Sequence, residues 1–221
     1  MVVAIMTRSE TMELFKTFPI YGITAEKASL GRNNYEVVHA MLRAGIRFIQ
    51  YREKEKAGLD RYEECVKLRG LTREYGAAFI IDDFVDLALA VDADGVHIGQ
   101  EDLPPAVVRK LVGENMVIGL STHSPEQLDR ANSLKGVIDY VGVGPVFPTM
   151  TKASAVPVGF SYVEYAANSS ELPFVAIGGI KEENISEVWE HGARNIAVVT
   201  DITQSENIEQ KIQNLTNNIR K

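Results

Sequence analysis

Residues 46–54 read Ile46-Arg47-Phe48-Ile49-Gln50-Tyr51-Arg52-Glu53-Lys54, a short β-branched and aromatic run that stops abruptly at an amide, two cations and an acid. The same change of character recurs along the chain. Ala78–Ile81 meets Asp82-Asp83, Gly95–Gly99 meets Gln100-Glu101-Asp102, and Val117–Leu120 meets Ser121-Thr122-His123. Tyr140–Gly144 runs into Pro145-Val146-Phe147-Pro148-Thr149-Met150-Thr151-Lys152. Short apolar runs bounded by polar clusters are the signature of strands buried on both faces, and α/β folds keep their chemistry at the ends of such strands. Cations, acids and hydroxyls are therefore expected on one rim.

The runs number eight. Strands are predicted at Ile20–Thr24, Arg47–Gln50, Phe79–Asp82, Gly95–Ile98, Val117–Leu120, Tyr140–Val143, Phe174–Ile177 and Asn195–Val199. Stretches of helical period lie between and after them, near Asn34–Ala44, Leu59–Tyr75, Val85–Val91, Pro105–Val112, Pro125–Asn132, Ser161–Ala167, Glu183–His191 and Ser205–Ile219. Eight βα units in series, joined by right-handed crossovers, close into a (β/α)8 TIM barrel. An open doubly wound sheet alternates in the same way. It would carry a glycine fingerprint after its first strand and gather its polar residues at one switch point, and neither pattern is present. The chain therefore reads as one barrel domain over 20–221, with Met1–Pro19 as an N-terminal extension that has room for an extra helix.

Composition sets the outer limits. The 221 residues are 45% hydrophobic and 24% charged, ordinary for a soluble globule, and no stretch approaches the roughly 18 apolar residues of a membrane span. Net charge −7 repels nucleic acid at long range, although it leaves phosphorylated metabolites open because local cations govern a site. Met1–Met6 is too short for a signal-peptide core and Arg8 follows it instead of preceding it, which favours the cytoplasm. Cys65, the only cysteine, excludes an internal disulfide and reads as a small, half-buried apolar residue of a helix.

Three groups of residues carry chemistry. Ala176-Ile177-Gly178-Gly179-Ile180 and Ala197-Val198-Val199-Thr200-Asp201 end the seventh and eighth strands, where barrels often bind phosphate through glycine backbone, a helix N-terminus and a hydroxyl. The alternative is that the two glycines only turn the chain. Asp83 and Asp102 follow adjacent strands and suit Mg²⁺, a hard cation that keeps several waters; alternatively, each caps a helix. Arg52, Lys54 and Lys152 supply the positive charge that a phosphate-rich substrate needs. His97 reads as a hydrogen-bonded strand residue, and His123 either touches substrate or caps the next helix.

These motifs, in this order, resemble thiamine-phosphate synthase: Gln50–Lys54, Asp82-Asp83 with Val85-Asp86-Leu87-Ala88, Gly95–Pro104, Gly119–His123, Gly142–Lys152 and Ala176–Ile180. The resemblance implies a barrel that joins 4-amino-2-methyl-5-(diphosphooxymethyl)pyrimidine to 4-methyl-5-(2-phosphooxyethyl)thiazole, forming thiamine phosphate and releasing diphosphate. It implies that the pyrimidine diphosphate is bound by Gln50, Tyr51, Arg52, Glu53, Lys54, Asp82, Ser121 and Lys152, with Lys152, Arg52 and Ser121 catalytic. Asp83 and Asp102 are implied as Mg²⁺ ligands. Thr149, Met150, Thr151, Gly179, Val199 and Thr200 are implied around the thiazole phosphate, and a homodimer is permitted.

Three positions depart from the family pattern: Tyr51 stands where Leu is usual, Asp82 where Asn is usual, and Thr200 where Ser is usual. Asp82 matters most, because a carboxylate beside a diphosphate replaces an amide that can donate. The closest rival reading is a thiazole tautomerase with His123 as base, and a third is a non-catalytic sensor of thiazole or thiamine phosphate.

Overall fold

Residues 6–149 and 156–219 are described by the structure, a computed structural model. Each run predicted to be a strand forms one: β1 (Ile20–Ile23), β2 (Phe48–Tyr51), β3 (Ala78–Asp82), β4 (Gly95–Ile98), β5 (Val117–Thr122), β6 (Tyr140–Val143), β7 (Phe174–Ile177) and β8 (Ile196–Val198). All pair in parallel with their sequence neighbours, and β8 pairs with β1 through Ile20–Ile196 and Gly22–Val198. Closure leaves no free sheet edge.

The helices between the strands are α2 (Asn34–Arg43), α3 (Gly58–Glu74), α4 (Val85–Ala90), α5 (Pro105–Val112), α6 (Pro125–Asn132), α7 (Gly159–Ser169) and α8 (Ile185–Glu190), with α10 (Ile208–Asn218) last. The strand period of two divides their side chains between two cores. Outward residues such as Ile49, Phe79 and Val141 are buried with helix residues such as Val38, Leu68 and Val163. Inward residues, among them Tyr21, Phe48, Ile80, Val117 and Tyr140, fill the barrel.

Helix α1 (Arg8–Thr17) precedes β1. Thr7 and Glu10 form its capping box, the Thr7 hydroxyl accepting from the Glu10 N–H and the Glu10 carboxylate from the Thr7 N–H. Arg8 ties it to the start of β6 through an ion pair with Asp139 and a 2.9 Å bond to the Gly136 carbonyl. The helix therefore lies across the N-terminal end of the barrel. Phe15 inserts there, its ring centroid 4.9 Å from that of Tyr140, 5.2 Å from Phe48 and 6.4 Å from Tyr21.

Two expectations change. The last helix begins at Ile208 instead of Ser205, because Asn207 caps it by accepting from the Gln210 N–H, and Thr200–Thr203 forms a separate turn of helix, α9. Cys65 is fully buried, not half-buried, and burial raises its thiol pKa, leaving it inert.

Phe15→Ala removes the ring that closes the barrel floor. It is expected to cost about 3–5 kcal/mol, measured as a fall in the urea midpoint of unfolding.

Candidate active site

At the C-terminal ends of the strands the barrel opens into a cavity of about 810 Å³. Its floor is a polar layer laid over the aromatic filling. Gln50 Nε2 donates to the Tyr21 hydroxyl at 3.0 Å, Tyr21 and Tyr140 share a hydrogen bond at 3.0 Å, Tyr140 meets His97 Nδ1 at 3.0 Å, and His97 Nε2 meets Ser121 Oγ at 2.9 Å. Five strands thus contribute to one chain of bonds. Burial, aided by Lys54 and His123 and opposed by Asp102, holds the His97 pKa down at about 4, so the imidazole is neutral.

The run after β2 explains its alternating charge. Arg52 and Lys54 line the cavity, whereas Glu53, Glu55 and Lys56 face the neighbouring loop after β1. There Glu53 accepts from the Glu26 N–H at 3.0 Å, and Glu55 and Lys56 pair with Lys27 and Glu26. Glu53 therefore anchors the loop and does not line the cavity. Tyr51 also points away from it, since in a strand the neighbour of an inward Gln50 faces outward. Its buried hydroxyl donates to Glu64 of α3 at 2.6 Å, and Lys56 donates to the same carboxylate at 2.8 and 2.9 Å.

Three carboxylates stand beside the cations. Asp82, the last residue of β3, is 7% exposed, with Arg52 Nε at 3.5 Å and Lys54 Nζ at 3.6 Å from an Oδ2 that makes no hydrogen bond. Burial, reinforced by Asp83 and Asp102 against the two cations, raises its pKa to about 7. The two cations, which also face the cavity, offset the Asp82 charge only in part. Asp83 receives Lys54 at 2.6 Å and holds a φ of +62°, a left-handed conformation that is costly away from glycine and tends to cluster at functional sites. Asp102 Oδ2 accepts from the Gly99 N–H at 2.6 Å. Neither residue caps a helix, since the N-cap positions of α4 and α5 are Phe84 and Pro104, with no side-chain cap. Among the described residues no three His, Cys, Asp or Glu side chains cluster as a metal site, so a divalent cation beside Asp83 and Asp102 would take its remaining ligands from water and substrate oxygens, as a hard cation such as Mg²⁺ does.

The opposite wall is built from β7 and β8. Gly178 and Gly179 have φ of +104° and +65°, and a Cβ on Gly179 would fall 2.5 Å from the Pro148 carbonyl oxygen. Only glycine fits there. Thr149, Gly179, Val199 and Thr200 all line the cavity, the last opening α9. The expected dipole after β7 does not arise locally, because α8 starts only at Ile185. Met150, Thr151 and Lys152 lie outside the described residues. His123 lines the cavity and ties β5 to β6, its Nδ1 2.6 Å from the Gly144 carbonyl, while Ser124 caps α6.

Lys181 also lines the cavity and was not singled out in the sequence, although it directly follows the Ala176–Ile180 motif.

The fold and site define a class, a (β/α)8 barrel whose strand-end cavity sets cations and carboxylates against a glycine-bounded wall. Comparison with known proteins gives the family. The family model described as "Thiamine monophosphate synthase" matches residues 20–202, and the chain belongs to that family. It is 57% identical over 197 residues to the thiamine-phosphate synthase of Pelotomaculum thermopropionicum, covering 89% of each chain. It is 50% identical over 211 residues to that of Caldicellulosiruptor saccharolyticus, covering 95% of each. The solved thiamine phosphate pyrophosphorylase of Pyrococcus furiosus superposes with a TM-score of 0.84 at 37% identity, over 94% of this chain and 98% of that one.

His97 gives the site a pH signature. A histidine whose pKa falls from its ordinary 6.5 to about 4 on folding binds fewer protons folded than unfolded, so stability declines as pH drops through that window. Asp82, with its raised pKa, titrates across the same window with the opposite sign, so the signature is read by difference: the stability of the wild type relative to His97→Gln, from urea unfolding, should fall by about 2 kcal/mol between pH 6.5 and 4.5.

Proposed function

We propose that this chain joins the pyrimidine diphosphate to the thiazole phosphate, forming thiamine phosphate and releasing diphosphate. The observation that carries the reading is the pairing of Arg52 and Lys54 on one side of the cavity with the Gly178-Gly179 and Thr200 wall on the other, in a chain of this family. Each side suits one phosphorylated substrate. Gln50, Arg52, Lys54, Asp82 and Ser121 receive the pyrimidine diphosphate, and Thr149, Thr151, Gly179, Val199 and Thr200 receive the thiazole phosphate.

The thiazole nitrogen attacks with a lone pair and has no proton to lose, so the residues' task is to ease departure of diphosphate. Arg52, Lys54 and Lys152 neutralise the charge that grows on it. Asp83 and Asp102 would hold Mg²⁺, which when bound supplies divalent charge to the diphosphate oxygens. The aromatic filling below closes the barrel side of the cavity to water. The −7 net charge disfavours nucleic acid as a partner, and no helix among the described residues is long and apolar enough to cross a membrane.

Incubation with both substrates should yield thiamine phosphate and diphosphate in equal amounts with Mg²⁺, and neither with chelator. Lys152→Ala should lower kcat by about 100-fold while leaving the KM for thiazole phosphate within about twofold. Substrate consumption without thiamine phosphate would overturn the reading.

A further inference from the structure

The five-residue chain on the cavity floor has a direction. Its first link is an amide N–H of Gln50, which can only donate, so the Tyr21 oxygen accepts. The Tyr21 proton then points to Tyr140, 3.0 Å away. If Tyr140 donated back to Tyr21 instead, the Tyr21 oxygen would face two donors and its own proton would lack an acceptor in the chain, in a residue that is only 3% exposed. Buried hydroxyls rarely accept that cost. The Tyr140 proton therefore goes to His97 Nδ1, and a neutral imidazole that accepts at Nδ1 carries its proton on Nε2. That proton faces Ser121 Oγ at 2.9 Å.

We propose that Gln50, Tyr21, Tyr140 and His97 form a one-way hydrogen-bond relay that turns the Ser121 hydroxyl proton into the cavity, making Ser121 a committed donor to acceptor-only atoms such as phosphate oxygens. Tyr21 and Tyr140 are positioning residues. They act on substrate through His97 and Ser121, and hydrogen bonds in such a low-dielectric chain reinforce one another. The proposal rests on the coupling reaction proposed above only for its kinetic readout. The tautomer of His97 can be read without substrate.

The first measurement is the side-chain ¹⁵N spectrum of His97 in the unliganded protein at neutral pH. A protonated Nε2 with a bare Nδ1 is expected, and a protonated Nδ1 would reverse the relay and overturn the proposal. The second is Tyr140→Phe, which keeps the ring and deletes one link. It should lower kcat about 10-fold, leave the KM for thiazole phosphate unchanged and redistribute the His97 proton between the two nitrogens. In a Ser121→Ala background the same change should cost less than about twofold, because the relay then has no output. Unchanged kcat and tautomer in Tyr140→Phe, or full additivity with Ser121→Ala, would overturn the relay. If the wild type makes no thiamine phosphate, the coupling reaction falls and the tautomer still decides the relay.

Discussion

The structure depends on how the inside of the barrel is filled. Eight strands of three to six residues close a ring whose interior excludes bulk water, so every inward side chain must be packed or hydrogen-bonded. The chain meets this by stacking an apolar layer beneath a polar one. Phe15 enters from below and meets Phe48, Tyr21 and Tyr140, whose rings belong to the floor and whose two phenol oxygens belong to the next layer. Tyrosine suits such a boundary because one end of it is apolar and the other needs a partner. The cavity floor is thus built on the core, and its rigidity derives from packing and not from the loops above.

The loops contribute charge instead. A carboxylate as buried as Asp82 would be expelled from most interiors, yet Arg52 and Lys54 stand within ion-pair distance of it, and Lys54 is held by Asp83 as well. Burial works against the Lys54 ammonium, but Asp83 and Asp82 outweigh it and raise its pKa. A polyanionic substrate entering here meets cations that already face carboxylates.

Much of this was legible in the chain. Parallel strands covered on both faces become unbroken β-branched runs, so the eight strands emerge with boundaries shifted by a residue or so, and the acids and cations after them fall on one rim. The strand period would also have placed Tyr51 on the helix side once Gln50 was taken as inward. Other features left no local trace. Helix α9 is four residues long, too short for a period to show. The Tyr21–Tyr140 bond spans 119 residues and the Tyr140–His97 bond 43, so the link between Gln50 and Ser121 exists only after closure. Lys181 lacked a signal because a lysine after a strand is usually only solvated.

The length of the run Arg52-Glu53-Lys54-Glu55-Lys56 matters as much as its composition. Both flanks are pinned: Gln50 and Tyr51 by the barrel, and Lys56 by Glu26 and Glu64. Inserting or deleting a single residue between Tyr51 and Lys56 would pull Lys54 from Asp83 or Lys56 from Glu26 and Glu64, because the chain leaves the strand at Tyr51 and turns at Lys54-Glu55 with both ends held. The reach of the two cavity cations is therefore set by the spacing between a strand end and a loop anchor, which composition alone does not record.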